Sequence, residues 1–193
     1  STTKYMDGHG AAVGGCIVDS GHFDWLEHAD KFPGLCTPDE SYHGITYAEK
    51  FGIGGAFITK ATAQMMRDLG SIQAPMNAFI LNLGLESLHV RVKRHCENGL
   101  AVAQFLSKHP KIEYVNYPGL PGDKYYETAQ KYMPTGTCGV VSFGMKGGRK
   151  AAEEFMKHLR LGAIETHVAD ARTCCLHPAS ATHRQMNDEE LKA

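Results

Sequence analysis

The sequence predicts an α/β protein in two parts, with a boundary near Gly84. Three observations carry this reading. An apolar run, Ala12 to Asp19, follows a glycine-rich opening and reads as a short buried strand. A long amphipathic helix pattern starts at Gly84. Leu85, Leu88, Val92, Cys96, Leu100, Ala103 and Leu106 recur at steps of three or four, while Arg91, Lys93, Arg94 and Glu97 fall on the other face. Beyond it, short strand-like and helical stretches alternate. Residues 1–84 therefore read as the C-terminal part of a large α/β domain. Residues 85–193 read as most of a small α+β domain, reached through the long helix.

Taken in order, the strand at 12–19 leads into a loop-like stretch over residues 20–44. Ser20-Gly21, Pro33-Gly34, Thr37-Pro38-Asp39 and His43-Gly44 punctuate it. Trp25 and Phe32 are expected to anchor it, and a loop this long in a compact domain points to function or an interface. Thr46 to Asp68 is helical, with Phe57, Ile58, Ala61, Met65 and Leu69 at helical spacing and Gly52, Gly54 and Gly55 weakening its start. A separate helical patch covers Asn77 to Leu83. His109-Pro110 ends the long helix. A strand (Ile112 to Tyr117), a helix (Lys124 to Tyr132), a strand (Gly139 to Met145), a helix (Arg149 to Leu159) and a strand (Ala163 to Val168) follow. Asn187-Asp188-Glu189-Glu190 reads as a helix N-cap with an acidic first turn. The abrupt opening, and a helix that begins just before Ala193, give the expectation of a segment cut at both ends.

Composition narrows the function. The chain has 193 residues, 42% hydrophobic, with a net charge of −1, as for a globular protein with an ordinary core. Lys and Arg are spread without a basic stripe, which argues against nucleic-acid binding. No apolar run reaches the roughly 20 residues of a membrane span. The six cysteines form no C-x-x-C pair and sit mostly in apolar stretches, so reduced thiols and a cytoplasmic location are expected. His167, Asp170, His177 and His183 could be gathered as ligands, but no H-x-x-x-H or H-E-x-x-H spacing occurs, and the expectation is no metal.

The candidate chemistry lies at the start. Ser1-Thr2-Thr3-Lys4 is followed by Tyr5 and the run Gly8-His9-Gly10-Ala11-Ala12-Val13-Gly14-Gly15. A lysine among small hydroxyl residues can hold an aldehyde cofactor as a Schiff base, with hydroxyls for a phosphate and small neighbours that admit a ring. Two other readings start from the same letters. S-x-x-K opens the serine-nucleophile motif of penicillin-binding proteins, although S-D-N and K-T-G do not occur here. Ser1 could also be an N-terminal nucleophile.

Ser1, Thr3, Lys4, Gly8, His9, Gly14 and Gly15 match the lysine segment of the Cys/Met-metabolism family of pyridoxal-phosphate (PLP) enzymes, which the chain resembles over essentially its whole length. Arg67-Asp68-Leu69-Gly70, Asn77-Ala78-Phe79, Gly84-Leu85-Glu86-Ser87-Leu88 and Arg94-His95 look like that family's passage from large to small domain. Asp170-Ala171-Arg172-Thr173, His177-Pro178-Ala179-Ser180 and Thr182-His183 look like its small-domain loop. Within the family, the Phe23-Asp24-Trp25 and Phe32-Pro33-Gly34 insert and Ser41-Tyr42-His43-Gly44 are most similar to the O-acetylhomoserine sulfhydrylase branch.

The resemblance implies PLP-dependent transferase fold type I, with PLP bonded to a catalytic Lys4 and its phosphate held by Ser1 and Thr3. It implies γ-replacement on O-acetylhomoserine by sulfide or a thiol, in a homotetramer. His167 stands where the family carries serine or asparagine, and is placed at the substrate. The family's chains are much longer, so its phosphate loop, ring-stacking aromatic, pyridine-nitrogen carboxylate and carboxylate-binding arginine are expected outside residues 1–193. A γ-lyase or γ-synthase of the same family is the alternative reaction. A non-catalytic small-domain interaction module is the alternative from another class.

Overall fold

The computed structural model describes residues 1–187 and 189–192. The described chain forms two compact units, residues 15–75 and residues 1–14 with 76–193.

The unit of residues 15–75 is organised by aromatic side chains. Leu35, Tyr47, Ala48 and Ala56 are buried, with Trp25, Cys36, Tyr42, Ile45, Phe51 and Phe57 packed against them. Trp25 stacks on Phe57 at 5.7 Å and meets Phe32 edge-on at 5.2 Å, the offset geometries that aromatic quadrupoles favour. Helix α1 (Pro33–Cys36) starts on a proline, whose fixed φ suits a first helical residue. A 3-10 turn at Glu40–Tyr42 is capped by Asp39, whose carboxylate accepts from Ser41 N.

Helix α2 (Tyr47–Thr59) contains one non-helical residue, Gly52 (φ 65°, ψ −174°), so it is two helical pieces joined at a residue only glycine enters easily. It continues as a π-helical stretch, Lys60–Met66, and closes with α3 (Arg67–Leu69) and Gly70 at φ 67°. The π stretch supplies Lys60, whose amine reaches Asp39 (2.7 Å) and Gly34 O (2.6 Å), and Gln64, which accepts from the buried Tyr47 hydroxyl (2.9 Å) and donates to Ser41 Oγ. The Lys60 ammonium, with help from Ser41, holds the Asp39 carboxyl far below the usual carboxylate range.

The other unit is built on α4 (Pro75–Ser107), a single helix of 33 residues. The separate patch at 77–83 and the helix expected from Gly84 are one element, and Gly84 lies inside it. Strand β1 (Ile112–Asn116), helix α5 (Tyr126–Tyr132), strand β2 (Ser142–Met145) and helix α6 (Gly148–Lys157) follow, as the sequence pattern anticipates to within a few residues. β1 and β2 pair antiparallel, Val115 opposite Phe143, with an irregularity between Ile112 and Tyr114. Tyr117 is buried and its hydroxyl donates toward two carbonyls, Cys138 O (2.9 Å) and Cys96 O (3.2 Å). β3 (Ala163–Ile164) pairs in parallel with β4 (Cys174–Cys175).

Two further expectations change. The stretch expected as a buried strand at 12–19 pairs with no strand among the described residues. Val13, Ile17 and Val18 are 78, 60 and 86% exposed. Composition gave it strand character, but a strand exists only with a ladder partner. The strand expected over 163–168 stops at Ile164, because its partner β4 is two residues long. At the C-terminal end, Asn187 Oδ1 accepts from Glu189 N and Glu190 N while Glu190 Oε2 accepts from Asn187 N. This reciprocal cap opens a 3-10 turn, Glu190–Lys192; Asp188 of the expected cap lies outside the described residues.

Candidate functional site

Lys4 sits in a turn closed by backbone hydrogen bonds. Thr2 N donates to Gly14 O (3.0 Å), Asp7 N to Thr2 O (3.0 Å) and Gly8 N to Lys4 O (2.7 Å). Gly8 and Gly10 have φ of 79° and 62°, so the glycines of the opening run supply left-handed backbone. Asp7 is buried; its Oδ2 accepts from Ala11 N (2.8 Å) and Ala12 N (3.2 Å), tying the turn to the residues that follow. Thr3 Oγ1 accepts from Gly14 N at 3.1 Å and lies 3.4 Å from Gly14 O. Ser1 is exposed and Lys4 half-buried. Among the described residues, no side-chain acceptor or carboxylate engages the Lys4 amine.

Helix α4 supports the turn from one side. A Cβ on Gly84 would stand 2.4 Å from Asp7 O and 2.5 Å from Met6 O, so the turn's backbone lies directly on the helix. Two turns on, Arg91 donates to Ser87 Oγ (Nε, 3.0 Å), Tyr5 O (Nη1, 2.9 Å), Gly84 O (Nη2, 2.7 Å) and, at 3.4 Å, Met6 O. Its guanidinium fills the space a side chain at Gly8 would need. The Tyr5 hydroxyl accepts from Gly139 N (2.8 Å), and its ring meets His95 edge-on at 5.6 Å. Burial pushes the Tyr5 phenol up; burial and the Arg91 charge push the His95 imidazole down.

The loop between β3 and β4 also holds the turn. Ala171 N donates to Gly8 O (2.7 Å), and His167 Nε2 lies 3.0 Å from Thr3 O, a contact that needs the proton on Nε2. His167 Nδ1 is 3.2 Å from Asp170 Oδ2 but not aligned for a hydrogen bond. Asp170 is buried, and Arg172 grips both its oxygens, Nε to Oδ1 and Nη2 to Oδ2, each at 3.0 Å. That pairing holds the Asp170 carboxyl at about 2, against burial. The loop turns at Ala169, a non-glycine residue at φ 63°.

The four histidine and aspartate positions considered as metal ligands are not all gathered. His167 meets Asp170, while His177 pairs with Ser180 Oγ and His183 with Thr182 Oγ1. Glu165, Asp170 and Cys174 do approach one another. Arg172 already pairs with both carboxylates, and the Cys174 thiol, pushed up to about 12 by burial and Glu165, donates to Glu165 Oε1.

A cavity of about 620 Å³ lies within the unit of residues 15–75, between Trp25, Phe32, Phe57 and Met65. It is apolar and contains none of the sequence-predicted site residues; of the two lysines that line it, Lys31 and Lys60, the Lys60 amine is held by Asp39 and Gly34 O. The Lys4 turn is the stronger candidate, because its amine, with no acceptor among the described residues, stands beside the hydroxyls of Ser1 and Thr3.

Sequence reasoning placed Arg91 on a solvated face and Gly84 at a helix start. The usable signal was their spacing: Gly84, Ser87 and Arg91, at i, i+3 and i+7, share one helix face. That face offers the neighbouring backbone a small residue, a hydroxyl and a guanidinium.

The whole chain, residues 1–193, matches the family model described as "Cys/Met metabolism PLP-dependent enzyme". It is 46% identical to an O-acetyl-L-homoserine sulfhydrylase of Leptospira meyeri, over 98% of this chain and 44% of that protein. It is 41% identical to a homocysteine synthase of Schizosaccharomyces pombe, over 98% of this chain and 44% of that one. A crystal structure from Campylobacter jejuni, assigned as an O-acetylhomoserine (thiol)-lyase and carrying an N′-pyridoxyl-lysine-5′-monophosphate residue, superposes with a TM-score of 0.82 at 36% identity. That match covers all of this chain and 45% of its own. The chain thus spans less than half the length of these relatives.

Proposed function

The chain belongs to the Cys/Met-metabolism family of PLP-dependent enzymes, and from that premise we propose that it forms the lysine-bearing part of an O-acetylhomoserine sulfhydrylase. The reaction is γ-replacement: acetate leaves Cγ of O-acetylhomoserine and the sulfur of sulfide or a thiol takes its place, giving homocysteine or its thioether. The observation that carries the reading is Lys4, half-buried on a turn held by helix α4 and by the loop between β3 and β4, with no acceptor for its amine among the described residues. The relatives named as sulfhydrylases and homocysteine synthases support the choice of reaction.

The residues present fit PLP. Lys4 Nζ is available for covalent attachment. Thr3 Oγ1 can keep accepting from Gly14 N while turning its proton from the long contact with Gly14 O to a phosphate oxygen, and the Ser1 hydroxyl is exposed beside it. Bound there, the cofactor supplies the electron sink that makes protons on the substrate's Cα and Cβ removable. Lys4 Nζ, released when substrate binds, takes the Cα proton and returns it later in the cycle. We assign His167, 15% exposed and held beside Thr3 O, to the substrate end. In the longer protein we place residues 1–84 in the large cofactor domain and 85–193 in the small domain. That division is distinct from the contact grouping of this chain. A cytoplasmic homotetramer completes the proposal.

The test uses the full-length protein. Given O-acetylhomoserine and sulfide, it should release homocysteine faster than 2-oxobutyrate, and Lys4→Ala should cut turnover by orders of magnitude, because covalent and proton-transfer roles are lost together. Dominant 2-oxobutyrate without stimulation by sulfide would make it a lyase instead.

A further inference from the structure

Arg91 is half-buried, and four of its N–H groups are directed to Ser87 Oγ and to the carbonyls of Tyr5, Met6 and Gly84. Among the described residues it has no carboxylate partner. A guanidinium in a protein usually finds one, or stays in water. Here its donors go to neutral oxygens, two of them in the residues directly after Lys4. Two missing side chains make this possible. A Cβ on Gly8 would fall 2.3 Å from Arg91 Nη1, and one on Gly84 would collide with the Met6 and Asp7 backbone. Glycine at both places lets the helix, the guanidinium and the turn occupy adjoining space.

We propose that Arg91 is a positioning residue for Lys4. Its planar fork fixes the Tyr5 and Met6 carbonyls, and so fixes the direction in which the Lys4 side chain leaves the turn. The inference rests on the reading of Lys4 as the cofactor lysine. Lysine cannot replace Arg91, because one ammonium on a flexible stem cannot reach Tyr5 O, Gly84 O and Ser87 Oγ together. Loss of a single charge-assisted hydrogen bond already shifts a local equilibrium by roughly tenfold or more.

The experiment compares full-length wild type, Arg91→Lys and the milder Ser87→Ala, which removes the Nε acceptor and a long contact of the same hydroxyl to Gly84 O (3.3 Å). Amide hydrogen exchange is followed in the cofactor-free protein at Asp7 and Gly8, whose N–H groups close the turn on Thr2 O and Lys4 O. The rate at which added PLP becomes borohydride-reducible on Lys4 is measured in parallel. Arg91→Lys should speed exchange at those two amides about tenfold or more and slow attachment by a similar factor, leaving β1 and β2 amides unchanged. Ser87→Ala should do the same to a smaller extent. Unchanged exchange and attachment in Arg91→Lys would overturn the proposal, as would equal loosening of β1 and β2 in both variants. Faster exchange at Asp7 and Gly8 with attachment on a different lysine would leave the brace standing and overturn the reading of Lys4 instead.

Discussion

Residues 15–75 cohere through rings: Trp25 on Phe57, Phe32 and Phe23 against Trp25, and Tyr47 between Tyr42 and Phe51. Residues 1–14 cohere through backbone. Their turn is closed by Thr2, Asp7 and Gly8 amides, and held by Arg91 and Ala171 on carbonyls and by helix α4 at the position where Gly84 has no side chain. A region that packs by side-chain area tolerates adjustment, since rings slide and rotamers change. A region that packs backbone on backbone does not, because its atoms have nowhere to move. The braced turn carries Lys4, the amine we propose bonds the cofactor, and a fixed amine is what covalent attachment and directed proton transfer need.

The sharpest way to break the comparison is Gly84→Ala. A methyl group there meets backbone oxygens at 2.4 and 2.5 Å, and overpacking costs ~1–3 kcal/mol even where side chains can yield. Thermal melting should fall by several degrees and the Lys4 turn should loosen. Gly15→Ala, one residue beyond the turn region, meets nothing within 4 Å and should leave the melt unchanged. If both glycines tolerate alanine equally, close backbone approach is not what holds the turn.

A smaller effect is expected from Tyr117→Phe. It leaves Cys96 O and Cys138 O without that hydroxyl, at a cost of about 1–3 kcal/mol if water cannot reach them. Urea unfolding should show a lower midpoint with an unchanged slope.

The loop brace titrates. Asp170 has its folded carboxyl at about 2 rather than the ordinary 3.8, so it binds a proton less readily folded than unfolded. Its stabilising contribution is complete above about pH 4 and is lost as pH falls toward 2. Asp170→Asn should lower stability at neutral pH and flatten the fall between pH 4 and 2, read as melting temperature against pH. An undiminished acid limb in the variant would place that titration elsewhere.

The same contrast governs what the sequence could reveal. Helical spacing at Phe57, Ala61 and Met65 marks helix through hydrophobic period, and helical backbone is present there, whereas the stretch of residues 20–44, read as a loop from its glycines and prolines, holds the short helix Pro33–Cys36 and the 3-10 turn Glu40–Tyr42. Ser1, Thr3 and Lys4 stood out as candidates because their residue types carry chemistry. Arg91 was hidden because an arginine on a helix reads as solvated until the facing backbone is known. Gly84 was visible as a glycine but not as a contact, since a missing side chain has meaning only against a neighbour. Val13 to Val18 has the composition of a strand, yet pairing is a property of two segments, and a single stretch of sequence does not contain it.

The central claim is that Lys4 is the amine that bonds the cofactor. The direct measurement is borohydride reduction of the PLP-loaded full-length protein, followed by peptide mass mapping. The account predicts a pyridoxyl-phosphate adduct on the peptide holding Ser1-Thr2-Thr3-Lys4-Tyr5, absent in Lys4→Ala. An adduct on Lys60, Lys31 or any other lysine, with Lys4 unmodified, would contradict it.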